Sequence, residues 1–199
     1  MDILVYLAVA VGAYLIGSLS SAIIISNGVK KKDIRDYGSG NAGATNMLRT
    51  FGWLSGLLTF LFDAAKGTLC AWLGWLAAGD MGMHIAAVCV VLGHNWPFWN
   101  KFRGGKGVAV NCTWLILYLP ITGALCCLAG GGAVLLSGYL PLGAVLIAAL
   151  AVPVAWLQYG GESAFIMAVS ASIMLTRHWA GLQRMRRGEE PQFFRKWHY

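Results

Sequence analysis

Residues 3–26 read Ile3-Leu-Val-Tyr-Leu-Ala-Val-Ala-Val-Gly-Ala-Tyr-Leu-Ile-Gly-Ser-Leu-Ser-Ser-Ala-Ile-Ile-Ile-Ser26, and Lys30, Lys31 and Lys32 follow directly. The run carries no charge and exceeds the roughly 20 apolar residues that cross a bilayer. Asp2 is the only charge ahead of it, and the basic residues come after it. A cleaved signal peptide has the opposite order, so the run is expected to be a membrane anchor with its N-terminus outside.

The composition points the same way. Of 199 residues 58% are hydrophobic, and 15 Lys+Arg with 8 Asp+Glu make only 12% charged. Soluble domains carry about 25%. So few charges cannot cover a soluble surface. They exclude a disordered chain and a nucleic-acid-binding domain, so no nucleic acid is expected as a partner. Cys70, Cys89, Cys112, Cys126 and Cys127 all lie in apolar stretches without metal-ligand spacing. No disulfide framework, metal or cofactor is expected.

The basic residues fall into three clusters with one exception, Lys66. They are Lys30 to Arg35 with Arg49; Lys101, Arg103 and Lys106; and Arg177 through Arg184, Arg186, Arg187 and Arg195 to Lys196. The positive-inside bias places all three in the cytoplasm. Residues of about 53–99 are interrupted by Gly79-Asp80-Met81-Gly82, which fits two spans and a short external turn. From Val108 to Thr176 both ends face the cytoplasm, so the number of spans is even. Breakers at Pro120, Gly130 to Gly132, Gly138 to Gly143 and Pro153 to Gly161 favour four. The expected fold is an all-α integral membrane protein with seven transmembrane helices (five being the alternative), an external N-terminus and a cytoplasmic C-terminus. It forms one polytopic domain over residues 1–199, with motif segments at about 27–52, 93–108 and 177–199. Trp96, Trp99, Trp179 and Trp197 flank the basic clusters as interfacial anchors.

Chemistry concentrates in those three segments. The first contains Gly38, Ser39, Gly40, Asn41, Gly43, Thr45, Asn46 and then Arg49. Glycines permit positive φ and present backbone N–H groups that can line up around an anion. Ser39, Thr45 and the Asn side chains add neutral donors, and Arg49 offers a planar fork for two phosphate oxygens. A plain interhelical turn has no use for this density of donors. The second segment runs from Gly93 and His94 to Arg103, Gly104, Gly105, Lys106 and Gly107, then opens an apolar helix. Helix N-termini favour anions, and Lys106 adds a full charge. It is not a nucleotide-binding loop of the Walker type, because Lys106 is followed by Gly107 and position 100 is Asn100. Lys101 is explained by the positive-inside bias alone.

The third segment places Arg177 and His178 at the cytoplasmic end of the last apolar run; Arg184, Arg186 and Arg187 suit anionic headgroups. Asp63 and Lys66 lie within an apolar run at i,i+3 spacing, so a mutual ion pair is expected. Two basic glycine loops beside a lipid phase suit joining a phosphate compound to a lipidic one. No Ser/His/Asp triad is legible, and the membrane acyltransferase pattern of His, four residues, then Asp fails, because Trp99 stands five residues after His94. A transporter of organic phosphate anions is the rival class, although no internal repeat is visible; a purely structural bundle would leave the first loop unexplained.

Gly38-Ser-Gly-Asn-Ala-Gly-Ala-Thr-Asn46, Phe102-Arg-Gly-Gly-Lys-Gly-Val-Ala109 and Arg177-His178 resemble the three motifs of the PlsY-type acyl-phosphate:glycerol-3-phosphate acyltransferases. Gly17-Ser18 and Asp63 to Gly67 resemble further family positions. The resemblance implies a seven-helix enzyme of the bacterial inner membrane with its active site at the cytoplasmic face. Such an enzyme moves a fatty acyl group from acyl phosphate to the sn-1 hydroxyl of glycerol 3-phosphate, giving lysophosphatidic acid and phosphate. It further implies that Ser39, Arg49 and Lys106 bind substrate phosphate and that His178 is the active-site His. Gly181 and Val110 stand where the family usually has Asn and Thr, and Ala42 replaces a variable Pro.

Overall fold

The computed structural model describes residues 2–193; Arg195, Lys196 and Trp197 of the third segment lie outside the described residues. Among the described residues the chain is helical throughout, with no strand. The α-helices are α1 (Ile3–Gly17), α2 (Ser21–Ile25), α3 (Ala44–Phe51), α4 (Trp53–Asn95), α5 (Val108–Tyr118), α6 (Pro120–Ser137), α7 (Leu140–Tyr159) and α8 (Gly161–Arg186). Short 3-10 turns at Ile34–Asp36 and Phe98–Asn100 shape the loops. Four helical stretches are long and apolar enough to cross a bilayer: Ile3–Lys30, Trp53–Asn100, Pro120–Ser137 and Leu140–Tyr159. Leu, Phe and Trp side chains along α1 and the first part of α4 are exposed, as lipid-facing surfaces are.

α4 is not one rod. Ala78 (φ −151°, ψ 27°) and Gly79 (φ 60°, ψ −151°) leave helical geometry. Past them the chain folds back, because Gly74 lies against Gly82 and Ala86. In a straight helix, residues eight apart would stand about 12 Å from each other. The Gly79-Asp80-Met81-Gly82 break expected from the sequence is therefore a hairpin between two antiparallel limbs. A positive φ at its apex is a conformation glycine adopts without penalty.

The chain divides into two compact units, one reaching to Trp114 and one beginning at Leu115. In the first, α1 packs on the second limb of α4 at glycine contacts. Gly17 meets the Val90 backbone and Gly93 meets the Tyr14 carbonyl, so the helix backbones approach as small residues allow in lipid. Tyr14 Oη donates to the Trp96 carbonyl at 2.9 Å. Between α1 and α2 the helix breaks at residues 18–20, and Lys66 Nζ donates to the carbonyls this exposes, Gly17 at 3.2 Å and Leu19 at 3.0 Å.

In the second unit α6, α7 and α8 run as successive antiparallel helices broken at Gly138 and Gly160, both at positive φ. Here the breaker reading needs correction. Gly130 to Gly132 lie inside α6, and Pro153 lies inside α7. Gly130 is where α6 meets α7, against Ile147 and the Gly143 carbonyl. Glycine there serves close packing, and a helix in lipid keeps its backbone bonds because no water replaces them.

Candidate active site

A small apolar cluster supports the first glycine loop. Ala22 and Ile23 of α2, Ile34, Ala42 and Met47 are buried together, with Ile25 and Phe51 packed against them. Above this floor Asn46, 2% exposed, ties the loop to α3. Its side-chain oxygen accepts from the Ser39 N–H at 3.1 Å. Its amide donates to the carbonyls of Tyr37 at 2.9 Å, Asn41 at 3.0 Å and Ile34 at 3.3 Å. Asn46 thus shapes the loop from within. Gly38 and Gly40 sit at φ 59° and 68°, a path that L side chains resist. Ser39 and Gly40 are exposed, while Asn41, Gly43, Thr45 and Arg49 are half-buried. Gly43 precedes α3 without a side-chain cap, which leaves the first N–H groups and the positive dipole end at the loop.

The second glycine loop folds over the end of α4. The Gly105 N–H donates to the His94 carbonyl at 3.0 Å. A methyl group on Gly105 would collide with His94 Nε2 and stand 2.9 Å from the Ala42 carbonyl. Ala42 belongs to the first loop, so the two loops touch. Arg35 bridges them again: Nη1 donates to the Asn100 carbonyl at 3.0 Å, while Nε and Nη2 clasp Asp33 at 3.0 and 2.6 Å. That hydrogen-bonded guanidinium holds the Asp33 carboxyl below its ordinary value. Gly104, Gly105 and Gly107 are buried, Lys106 half-buried and Arg103 exposed. Lys101 and Phe102 adopt left-handed φ of 55° and 58°, a local strain of the kind that clusters at functional loops.

Beneath the loops lies a buried polar group. The expected Asp63–Lys66 ion pair forms at 2.9 Å. Asp63 also accepts from Ser21 Oγ at 2.7 Å and lies 3.4 Å from His94 Nδ1. The sequence spacing pointed to the pair but carried no sign of this wider connection, which needs α2 and both limbs of α4 side by side.

The third segment lies in the second unit. His178 is 2% exposed on α8, and Gly181 follows one turn later. After α8 the chain turns back at Gly188 (φ 72°), and the Phe193 N–H donates to the Gly138 carbonyl at 2.5 Å. This return seats Glu190, which pairs through Oε2 with Arg184 Nε at 2.7 Å.

The family described as glycerol-3-phosphate acyltransferase matches residues 7–188. This chain belongs to the glycerol-3-phosphate acyltransferase family. It is 35% identical over 188 residues to the glycerol-3-phosphate acyltransferase of Thermoanaerobacter pseudethanolicus, covering 94% of this chain and 95% of that one. With the enzyme of that name from Erwinia tasmaniensis it shares 40% over 188 residues, covering 92% and 90%. Among solved structures it is similar to PlsY, an integral membrane glycerol 3-phosphate acyltransferase. The TM-score to its glycerol 3-phosphate form is 0.88 at 28% identity, with 94% of each chain covered. The lysophosphatidic acid form gives 0.85 at 27%. As a glycerol-3-phosphate acyltransferase family member the chain is an acyltransferase and a multi-pass membrane protein, and the family match takes in the first two motif segments and the third as far as Gly188.

Proposed function

We propose that this enzyme transfers a fatty acyl group from acyl phosphate to the sn-1 hydroxyl of glycerol 3-phosphate, releasing lysophosphatidic acid and inorganic phosphate. The observation that carries the reading is the contact between the two glycine loops, Gly105 against Ala42 and Arg35 on Asn100. Two anion-binding loops in contact suit a reaction between two phosphate compounds. Their mutual repulsion is the main obstacle, and cations with backbone donors offset it. In this reading Ser39, Arg49 and Lys106 hold phosphate oxygens, with Gly38, Gly40, Asn41, Gly43, Thr45, Gly104, Gly105 and Gly107 shaping the donor-rich backbone and Arg103 adding charge. Asn46 and His94 act from beneath, by positioning the loops.

The hydroxyl oxygen attacks the acyl carbon, the new ester C–O bond forms, and the bond from acyl carbon to phosphate oxygen breaks. His178 takes the hydroxyl proton. Because phosphate is a good leaving group, most of the acceleration comes from holding the reactants in line, an effect worth roughly 7–11 kcal/mol.

Seven crossings suit the helices: α1 with α2, the two limbs of α4, then α5 to α8. In this reading the N-terminus lies outside, and the glycine loops and C-terminus lie in the cytoplasm beneath a bacterial inner membrane, which the positive-inside bias supports. α5 has 11 residues and covers only about 16 Å of a ~30 Å hydrocarbon layer. The glycine loop at its start is accordingly recessed toward the lipid, where an acyl chain is within reach.

Detergent-purified protein incubated with palmitoyl phosphate and labelled glycerol 3-phosphate forms lysophosphatidate in this reading, and Arg49→Ala or Lys106→Ala abolishes it. Uptake of organic phosphate into proteoliposomes without ester formation would instead identify a carrier.

A further inference from the structure

Each glycine loop lies against a buried asparagine, and the two asparagines differ. Asn46, at the first loop, has its carboxamide fully used: the oxygen accepts from the Ser39 N–H and the amide donates to three carbonyls. Asn95, the last residue of α4, is 0% exposed. Among the described residues neither its Oδ1 nor its Nδ2 has a hydrogen-bond partner. The carboxamide lies against the second loop: a Cβ built on Gly107 would stand 2.8 Å from Oδ1 and 3.5 Å from Cγ. A buried amide without a bond is destabilising, and folded proteins keep few of them. Such an amide is accounted for when its partner arrives in a later step.

The loop can supply that partner. Gly107 is buried, holds φ 76° and opens α5 through its carbonyl, which accepts from the Asn111 N–H at 2.8 Å. Turning the Lys106–Gly107 peptide over exchanges the sides taken by the Lys106 carbonyl and the Gly107 N–H. It also carries φ of residue 107 to negative values, a change that glycine makes without penalty. An N–H turned outward there joins the N–H groups at the start of α5, where an anion is favoured. A carbonyl turned inward needs a donor, and the Asn95 amide is the unbonded donor beside Gly107. We propose that Asn95 is a positioning residue of the second loop: when glycerol 3-phosphate binds, the Lys106–Gly107 peptide turns over, its carbonyl accepts from Asn95 Nδ2 and its N–H faces the phosphate. This rests on the functional reading above. Asn95 touches no substrate atom; it gives the second loop, upon binding, the internal support that Asn46 already gives the first.

The test uses the whole enzyme in detergent with glycerol 3-phosphate as the probe. His94-Asn95 is the one His-Asn step in the chain, so labelling His carbonyls with carbon-13 and Asn with nitrogen-15 assigns Asn95 by magnetic resonance. A carboxamide proton of Asn95 is expected to move downfield as glycerol 3-phosphate is added. Carboxamide signals that stay in place at saturation overturn the inference, whether or not any variant folds. Asn95→Leu removes the amide at nearly constant size. Its melting temperature without substrate is expected to stay level or rise, because no bond is lost. Its KM for glycerol 3-phosphate is expected to rise at least about tenfold, the equivalent of one hydrogen bond. A Leu variant that keeps the native KM overturns the inference, and so does one that melts lower with KM unchanged, which would make Asn95 structural only. If the unmodified enzyme forms no lysophosphatidate from palmitoyl phosphate, the functional reading falls and this inference with it. Ester formation with a silent carboxamide overturns this inference alone.

Discussion

Lys66 reaches Asp63 across one helical turn at 2.9 Å, and the same ammonium closes the carbonyls of Gly17 and Leu19 at the break between α1 and α2. One side chain therefore balances a buried carboxylate and mends an interrupted helix. The pair is structural in a specific sense: each partner has further bonds that a substitution would orphan.

Removing one partner is expected to cost more than removing both. Lys66→Met leaves Asp63 without its ammonium and two carbonyls open, a loss of about 3–5 kcal/mol. Asp63→Asn with Lys66→Met should be less harmful than the two single losses added together, since the residues are in contact. Unfolding in mixed detergent, followed by circular dichroism, measures all three variants. Strict additivity would contradict the coupling.

Gly105→Ala is expected to disable the enzyme without unfolding it. The methyl group would press on His94 and the Ala42 carbonyl, and displacing the loop by about 1 Å is enough for a ~10²-fold fall in kcat/KM. The overpacking itself amounts to about 1–3 kcal/mol. Gly131→Ala makes the contrast, because nothing lies within 4 Å of a methyl there; it should leave activity intact and stability level or up to about 1 kcal/mol higher. Acyl-transfer rates and melting temperatures of the two variants decide the matter.

Asn46→Ala deletes the oxygen that holds Ser39 N–H and the amide that holds three carbonyls. The expected result is a loop that opens more readily by about 1–3 kcal/mol. Hydrogen exchange at the Ser39 amide should quicken by at least an order of magnitude, and the KM for glycerol 3-phosphate should rise. Unchanged exchange would show that Asn46 does not tie the loop.

Acid should loosen the bridge between the loops. Arg35 lowers the Asp33 carboxyl below its ordinary 3.8, so this interaction stabilises the fold fully above that value. It is lost as pH falls through the lowered folded value. Melting temperatures measured from pH 6 down to 3 should decline more steeply for the native chain than for Asp33→Asn, whose bridge is already weakened. Parallel profiles would remove Asp33 from the account.

Much of this was readable in the sequence because charge and hydropathy report directly on a bilayer. The uncharged run before Lys30, the hairpin at Gly79 and the Asp63–Lys66 pair all follow from where a charge or a break is tolerable. The contact of the two glycine loops, at Gly105 and Ala42, becomes visible only in the fold. What escaped notice depends on distant residues. Gly130 reads as a breaker because a sequence does not show α7 lying against it. Asn46 reads as a ligand because its three carbonyl partners become neighbours only once the loop has closed. Glu190 gave no signal, since its position depends on the chain turning back at Gly188 toward Gly138.

The double duty of Lys66 also bears on biogenesis. Alone in the translocon, the first limb of α4 would present the Asp63–Lys66 pair to hydrocarbon with its ammonium only partly satisfied, and the fractured leading segment would present naked carbonyls. Each defect is cured only by the other, so these two hydrophobic stretches should leave the insertion machinery together, as a preassembled pair, rather than one after the other.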